Sequence, residues 1–90
     1  MRSRRLRAFK AQFDKLPQVV RDTAVRKYRL WVESPDHPSL RFKPVQSSKD
    51  GVRPRYEVSV TARHRAVCFR DGDTYVWEFI GTHGEFDQRY

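Results

Sequence analysis

Cysteine is almost missing from this 90-residue chain. The single Cys68 rules out an internal disulfide, and no Cys/His spacing suits structural zinc. Cys68 lies in an apolar run, where a thiol ordinarily serves as a small buried hydrophobe. No stretch approaches the roughly 20 apolar residues of a membrane span. The basic opening MRSRRLRAF lacks an apolar run of secretory-signal length, so a soluble protein of a reducing cytoplasm is expected. Acidic residues are scarce through the first seventy positions, six against eighteen Lys and Arg. The last twenty reverse this, with five acids against one Arg, and the net charge is +8. Such a field draws polyanions, and an acidic protein equally well.

What is present suffices for a core. Hydrophobic residues are 38% and aromatics 13%, which is not a disordered composition. The length fits one domain, 1–90, burying roughly 60–65% of the surface of its unfolded form. Leu6, Phe9, Phe13 and Leu16 recur at helical spacing, as do Val20, Ala24, Tyr28 and Trp31. Between them Pro17 suits the first position of a helix, and Ser34-Pro35 ends the second helix. So short a connection predicts an antiparallel helix hairpin.

Leu40 to Lys43 and Arg55 to Val60 alternate with period two, predicting strands, with Arg41 and Lys43 facing away from the helices. Residues 46–54, polar and with an Asp-Gly of their own, read as a loop. Strands His64 to Arg70 and Thr74 to Ile80 flank Asp71-Gly72, which suits a type I′ hairpin turn. Gly81-Thr82-His83-Gly84 reads as a turn, and Glu85 to Tyr90 as a short acidic tail. Helices followed by strands predict an α+β domain, with the helix hairpin packed on one face of a four-stranded antiparallel sheet. The other face is left to solvent or to a ligand.

Two residues could carry chemistry. Arg65 shares its strand face with Val67 and Phe69, where a guanidinium calls for a phosphate or carboxylate. With Asp71-Gly72 as the loop, Glu78 stands across from Arg65 and an ion pair is the plain reading; a turn shifted by one residue removes it. His83, at a strand end, could donate or accept a proton near neutrality. Arg41, Lys43, Arg55, Arg63 and Arg65 belong to the strands or their ends and could grip phosphates on one face. These residue types permit RNA cleavage without a metal or nucleotide cofactor: a base activates the 2′-OH, cations stabilise the phosphorane, and an acid protonates the leaving oxygen.

Together FKAQFDKLPQVVRDTAVRKYRLWVESPDHPSLRFKPV (9–45), YEVSVTARHRAVCF (56–69) and WEFIGTHGEFD (77–87) resemble the RelE/ParE family of toxins from bacterial toxin–antitoxin pairs. The resemblance implies a microbial-ribonuclease-like α+β fold, a cognate antitoxin as partner, and mRNA as substrate, often on the ribosome. It implies Arg65 as the transition-state arginine, His83 as general acid, and Arg41 and Lys43 as the basic strand, with Lys43 also a catalytic helper. Arg41, Arg55 and Arg63 are expected, from their places on the strands, to bind the RNA backbone. Phe86 stands where the family often has a Tyr and would stack on a base. Tyr90 is a candidate replacement for that Tyr, and Glu57 is the nearest match to the family's general base. Only five residues precede Leu6, so the family's first strand is expected to be absent or vestigial. Other members poison DNA gyrase, and a non-catalytic module binding RNA or antitoxin is the remaining alternative.

Overall fold

The computed structural model describes residues 2–45 and 53–90. The order is β1 (Arg2–Arg5), α1 (Arg7–Asp14), α2 (Gln18–Glu33), a 3-10 turn (Pro38–Leu40), β2 (Lys43–Pro44), β3 (Arg55–Thr61), β4 (His64–Asp71), β5 (Thr74–Thr82) and α3 (His83–Arg89). The strands form one sheet in the order β1-β5-β4-β3-β2. The architecture is α+β with helices α1 and α2 on one face, as the periodicities predict. The sheet is mixed and five-stranded rather than antiparallel and four-stranded. Most of the polar loop expected at 46–54 lies outside the described residues.

The additional strand is the N-terminal one. Arg2–Arg5 runs parallel to β5, Arg2 opposite Thr74 and Arg5 opposite Trp77. RSRR has no apolar alternation because it is an edge strand: the backbone pairs while the arginines stay in water. Ser3 turns inward and meets the Tyr28 hydroxyl of α2 at 2.5 Å. Past this short strand, the Ile80 amide of β5 donates to Gln12 Oε1 of α1 at 3.1 Å, so the uncovered edge is still satisfied.

The main core lies between the sheet and the helix hairpin. Trp31 is its centre, 1% exposed, with ring contacts to Trp77 at 5.1 Å, Tyr75 at 5.2 Å, Phe42 at 5.9 Å and Tyr28 at 6.0 Å. Phe9, Val20, Val58, Val60, Ala66, Cys68 and Ile80 complete it, so the alternating residues of β3 and β4 share faces as the sequence predicts. Proline at position 17 caps α2 from outside rather than opening it.

Two strand expectations need correction. Leu40 and Arg41 are not in a strand: Pro38 opens a 3-10 turn, and Arg41 takes a left-handed conformation, φ 48°, as it leaves. Phe42 still reaches the core, but β2 is only Lys43–Pro44. The β4–β5 turn is centred on Gly72-Asp73, since Asp71 pairs with Thr74. Only Gly72 has a positive φ, 63°, whereas a type I′ turn needs two.

Cys68 is fully buried, and desolvation together with the nearby Glu78 carboxylate pushes its thiol up to about 12. The folded protein at pH 8 is therefore expected to resist alkylation. In denaturant it should take up one equivalent, which mass spectrometry reads directly.

Candidate active site

The face of the sheet away from α1 and α2 carries the polar chemistry. Val58 and Val60 of β3, and Ala66 and Cys68 of β4, point into the main core. The residues that alternate with them, Glu57, Arg65 and Val67, therefore face the other way. A smaller core of Val45, Val67, Phe79 and Phe86, with Tyr90 against it, covers part of this face.

Arg65 lies opposite Gly81, not Glu78. The turn sits one residue later than Asp71-Gly72, and an extra residue is bulged into β5: Cys68 pairs with Trp77 and Val67 with Phe79, leaving Glu78 between. Arg65 instead meets Glu57, Nε to Oε1 at 3.7 Å, and its Nη1 donates to the Thr61 and His64 carbonyls, each at 3.3 Å. Lys43 approaches the same Glu57 oxygen at 4.0 Å. Glu57 and Arg65 are 13% and 14% exposed, so this carboxylate is flanked by two cations in a half-dry setting.

His83 is not on a turn; it is the first residue of α3. Thr82 and Glu85 form a capping box: the Thr82 amide donates to Glu85 Oε1 at 2.9 Å, and the Glu85 amide donates to Thr82 Oγ1 at 3.2 Å. The signature, Thr82-His83-Gly84-Glu85, stands openly in the sequence. Gly81 lets the helix fold back, since a Cβ there would lie 2.9 Å from Phe79 Cζ and 3.0 Å from Glu85 Oε1. The His83 amide donates to the Arg63 carbonyl at 2.7 Å, tying the start of α3 to the β3–β4 turn. The imidazole is 53% exposed, with Nε2 3.4 Å from Asp87 Oδ2 and its ring stacked on Phe86 at 6.2 Å. His83 and Arg65 thus belong to the same end of the sheet.

The other expected site residues are placed differently. Arg63 is exposed at the β3–β4 turn, beside the start of α3. Arg41 is exposed but outside the strands. Arg55 pairs with Glu78, Nε to Oε2 at 2.9 Å, and lies over the Phe69 ring at 5.3 Å. Phe86 is 9% exposed and packs inside the smaller core instead of offering its face to a base. The Tyr90 hydroxyl donates to Glu78 Oε2 at 2.6 Å, and burial with that carboxylate drives its pKa up. Among the described residues, no cluster of three His, Cys, Asp or Glu could hold a metal ion.

A small mixed sheet with a helix hairpin on one face is the fold of the RelE-like toxins, and comparison with solved structures bears this out. The toxin in the RelB–RelE antitoxin–toxin complex of Methanococcus jannaschii superposes with a TM-score of 0.71 at 11% identity, covering 96% of both chains. YafQ of Escherichia coli strain BL21(DE3) superposes at 0.70 with 18% identity, over 96% of this chain and 98% of its own. A YoeB/ParE toxin from Agrobacterium tumefaciens gives 0.67 and 14%, over 92% and 99%. No family model matches the sequence, and no curated protein matches it.

The capping box carries a pH dependence. Hydrogen bonds from the Thr82 amide and hydroxyl hold the Glu85 carboxyl below its ordinary value. A depressed acid stabilises the fold above its unfolded pKa and loses that contribution as pH falls through its folded pKa. Secondary chemical shifts of residues 83–89 should therefore lose helical character on acidification through and below the usual carboxylate range. Glu85→Gln, which still caps, should remove that dependence.

Proposed function

We propose that this chain is the toxin of a toxin–antitoxin pair and acts as an endoribonuclease on mRNA, in the context of the ribosome. The observation that carries the reading is the Lys43–Glu57–Arg65 cluster on the open sheet face, at the end where α3 presents His83. Glu57 takes the proton of a ribose 2′-OH, whose oxygen attacks the adjacent phosphorus. Arg65 and Lys43 turn from the carboxylate to the phosphate and stabilise the charge that builds on its non-bridging oxygens. His83, in its protonated form, gives a proton to the departing 5′ oxygen. The P–O5′ bond breaks, leaving a 2′,3′-cyclic phosphate and a 5′-hydroxyl. DNA lacks the nucleophile, so the same site passes it over. Arg63, exposed beside the start of α3, would hold the flanking backbone.

The partner is an acidic antitoxin. Several structural neighbours are toxins solved with antitoxins, RelB–RelE and DinJ–YafQ among them. Between α1 and α2 lies an apolar cleft of about 470 Å³, floored by Phe9, Phe13, Trp31 and Trp77 and edged by Arg4, Arg5, Lys27 and Arg29. Val25 stands at its lip, 40% exposed. An apolar trough with a cationic edge suits an amphipathic acidic segment.

Arg65→Ala and His83→Ala should each reduce cleavage about 100-fold or more, the usual size of a lost oxyanion donor or general acid, with the fold unchanged by circular dichroism. Primer extension on cellular mRNA after induction is the test, because a nuclease alone leaves discrete new 5′ ends. Intact mRNA with DNA-damage signalling would favour gyrase poisoning. Intact mRNA without it would leave a binding module in which Arg65 serves Glu57. Val25→Glu, a charge at an exposed position, should weaken rescue of growth by the cognate antitoxin while leaving toxicity intact. Full rescue would move the antitoxin off this cleft.

A further inference from the structure

His83 is carried by a helix too short to hold itself. α3 has seven residues, whereas an isolated helix needs about twelve to fifteen to be even marginal in water. Its position must come from contacts: Phe86 packs into the smaller core from the middle of the helix, and polar contacts hold the two ends. The capping box and the Arg63 carbonyl fix the first turn. At the far end, the Tyr90 hydroxyl donates to Glu78 Oε2 at 2.6 Å. Glu78 is 7% exposed and accepts two bonds from Arg55 of β3, from Nε at 2.9 Å and Nη2 at 3.3 Å.

Three features mark this contact as more than packing. Glu78 is the bulged residue of β5, so it shares a face with Phe79 instead of alternating with it, and both meet Tyr90. A buried carboxylate is a costly way to fasten a helix compared with another apolar contact. Finally, the rings of Tyr90, Phe86 and His83 form a continuous series along α3, with centroid spacings of 5.2 Å and 6.2 Å. The imidazole at one end is therefore in physical register with the phenol held at the other.

We propose that Tyr90 and Glu78 are positioning residues, a clasp that fixes the far end of α3 on the sheet and so sets where His83 stands relative to Arg65. The catalytic part of this inference rests on the nuclease reading; the clasp itself does not. Tyr90 here acts as a fixed donor rather than as a proton carrier.

The test uses the full chain with Tyr90→Phe, which removes one oxygen and keeps the ring, with Glu78→Gln, and with both together. Amide exchange of residues 83–90 should accelerate about tenfold in Tyr90→Phe while β4 amides hold their rates, the size expected for a hydrogen bond to a charged acceptor. The double variant should exchange no faster at α3 than the worse single one. On an mRNA substrate, kcat should fall about tenfold with KM within about twofold, since misplacing a group costs turnover more than binding. Unchanged α3 exchange in Tyr90→Phe, or acceleration shared equally by β4, would overturn the clasp. A wild-type protein that leaves RNA whole would overturn the nuclease reading alone, with the exchange arms still deciding the clasp.

Discussion

One extra residue in β5 decides which side chains meet across the central hairpin. With regular pairing through Trp77, every residue beyond it would move one place along β4. The bulge at Glu78 places Gly81 beside Arg65, where a side chain would collide with Phe79 and Glu85. It also turns Phe79 to the same face as Glu78 instead of into the main core, so that ring and carboxylate both meet Tyr90. Bulges re-aim side chains at a modest cost in ladder pairing, and here a single one arranges both the small second core and the ion pairs around it.

The basic face is less free than a net charge of +8 suggests. Arg55 is committed to Glu78, while Arg65 and Lys43 share Glu57. Arg55, Arg65 and both carboxylates are partly buried, where leaving a charge alone is expensive, whereas Lys43 is largely exposed. Long-range attraction for a polyanion therefore falls to the exposed arginines of β1, α2 and the turns, and the paired cations act at close range by exchanging one anion for another.

Periodicity made α1, α2 and the faces of β3 and β4 readable, because apolar spacing reports burial directly. It failed where backbone pairing or local chemistry decides. RSRR pairs as an edge strand whose side chains need no pattern. Leu40 and Arg41 read as strand, but Pro38 commits the chain to a 3-10 turn first. The tail after Gly81 passed for a turn because glycine and acid content outweighed its Thr-x-x-Glu cap. His83 and Arg65 stand out in the sequence as candidates by residue type, strand position and family resemblance. The link between Arg65 and Glu57 does not, since it runs diagonally across β3 and β4, with Glu57 opposite Val67 and Arg65 opposite Ser59, and hydropathy does not report that register.

The parallel pairing of Arg2–Arg5 with Thr74–Trp77 joins segments about seventy residues apart, the widest sequence separation in the sheet. Such contacts form late, after the intervening chain has been ordered. During synthesis β1 has no partner until β5 has emerged, and α3 follows β5. A nascent chain therefore cannot close this edge of the sheet until β5 has been made, and until then the backbone of β1 must find its hydrogen bonds in water.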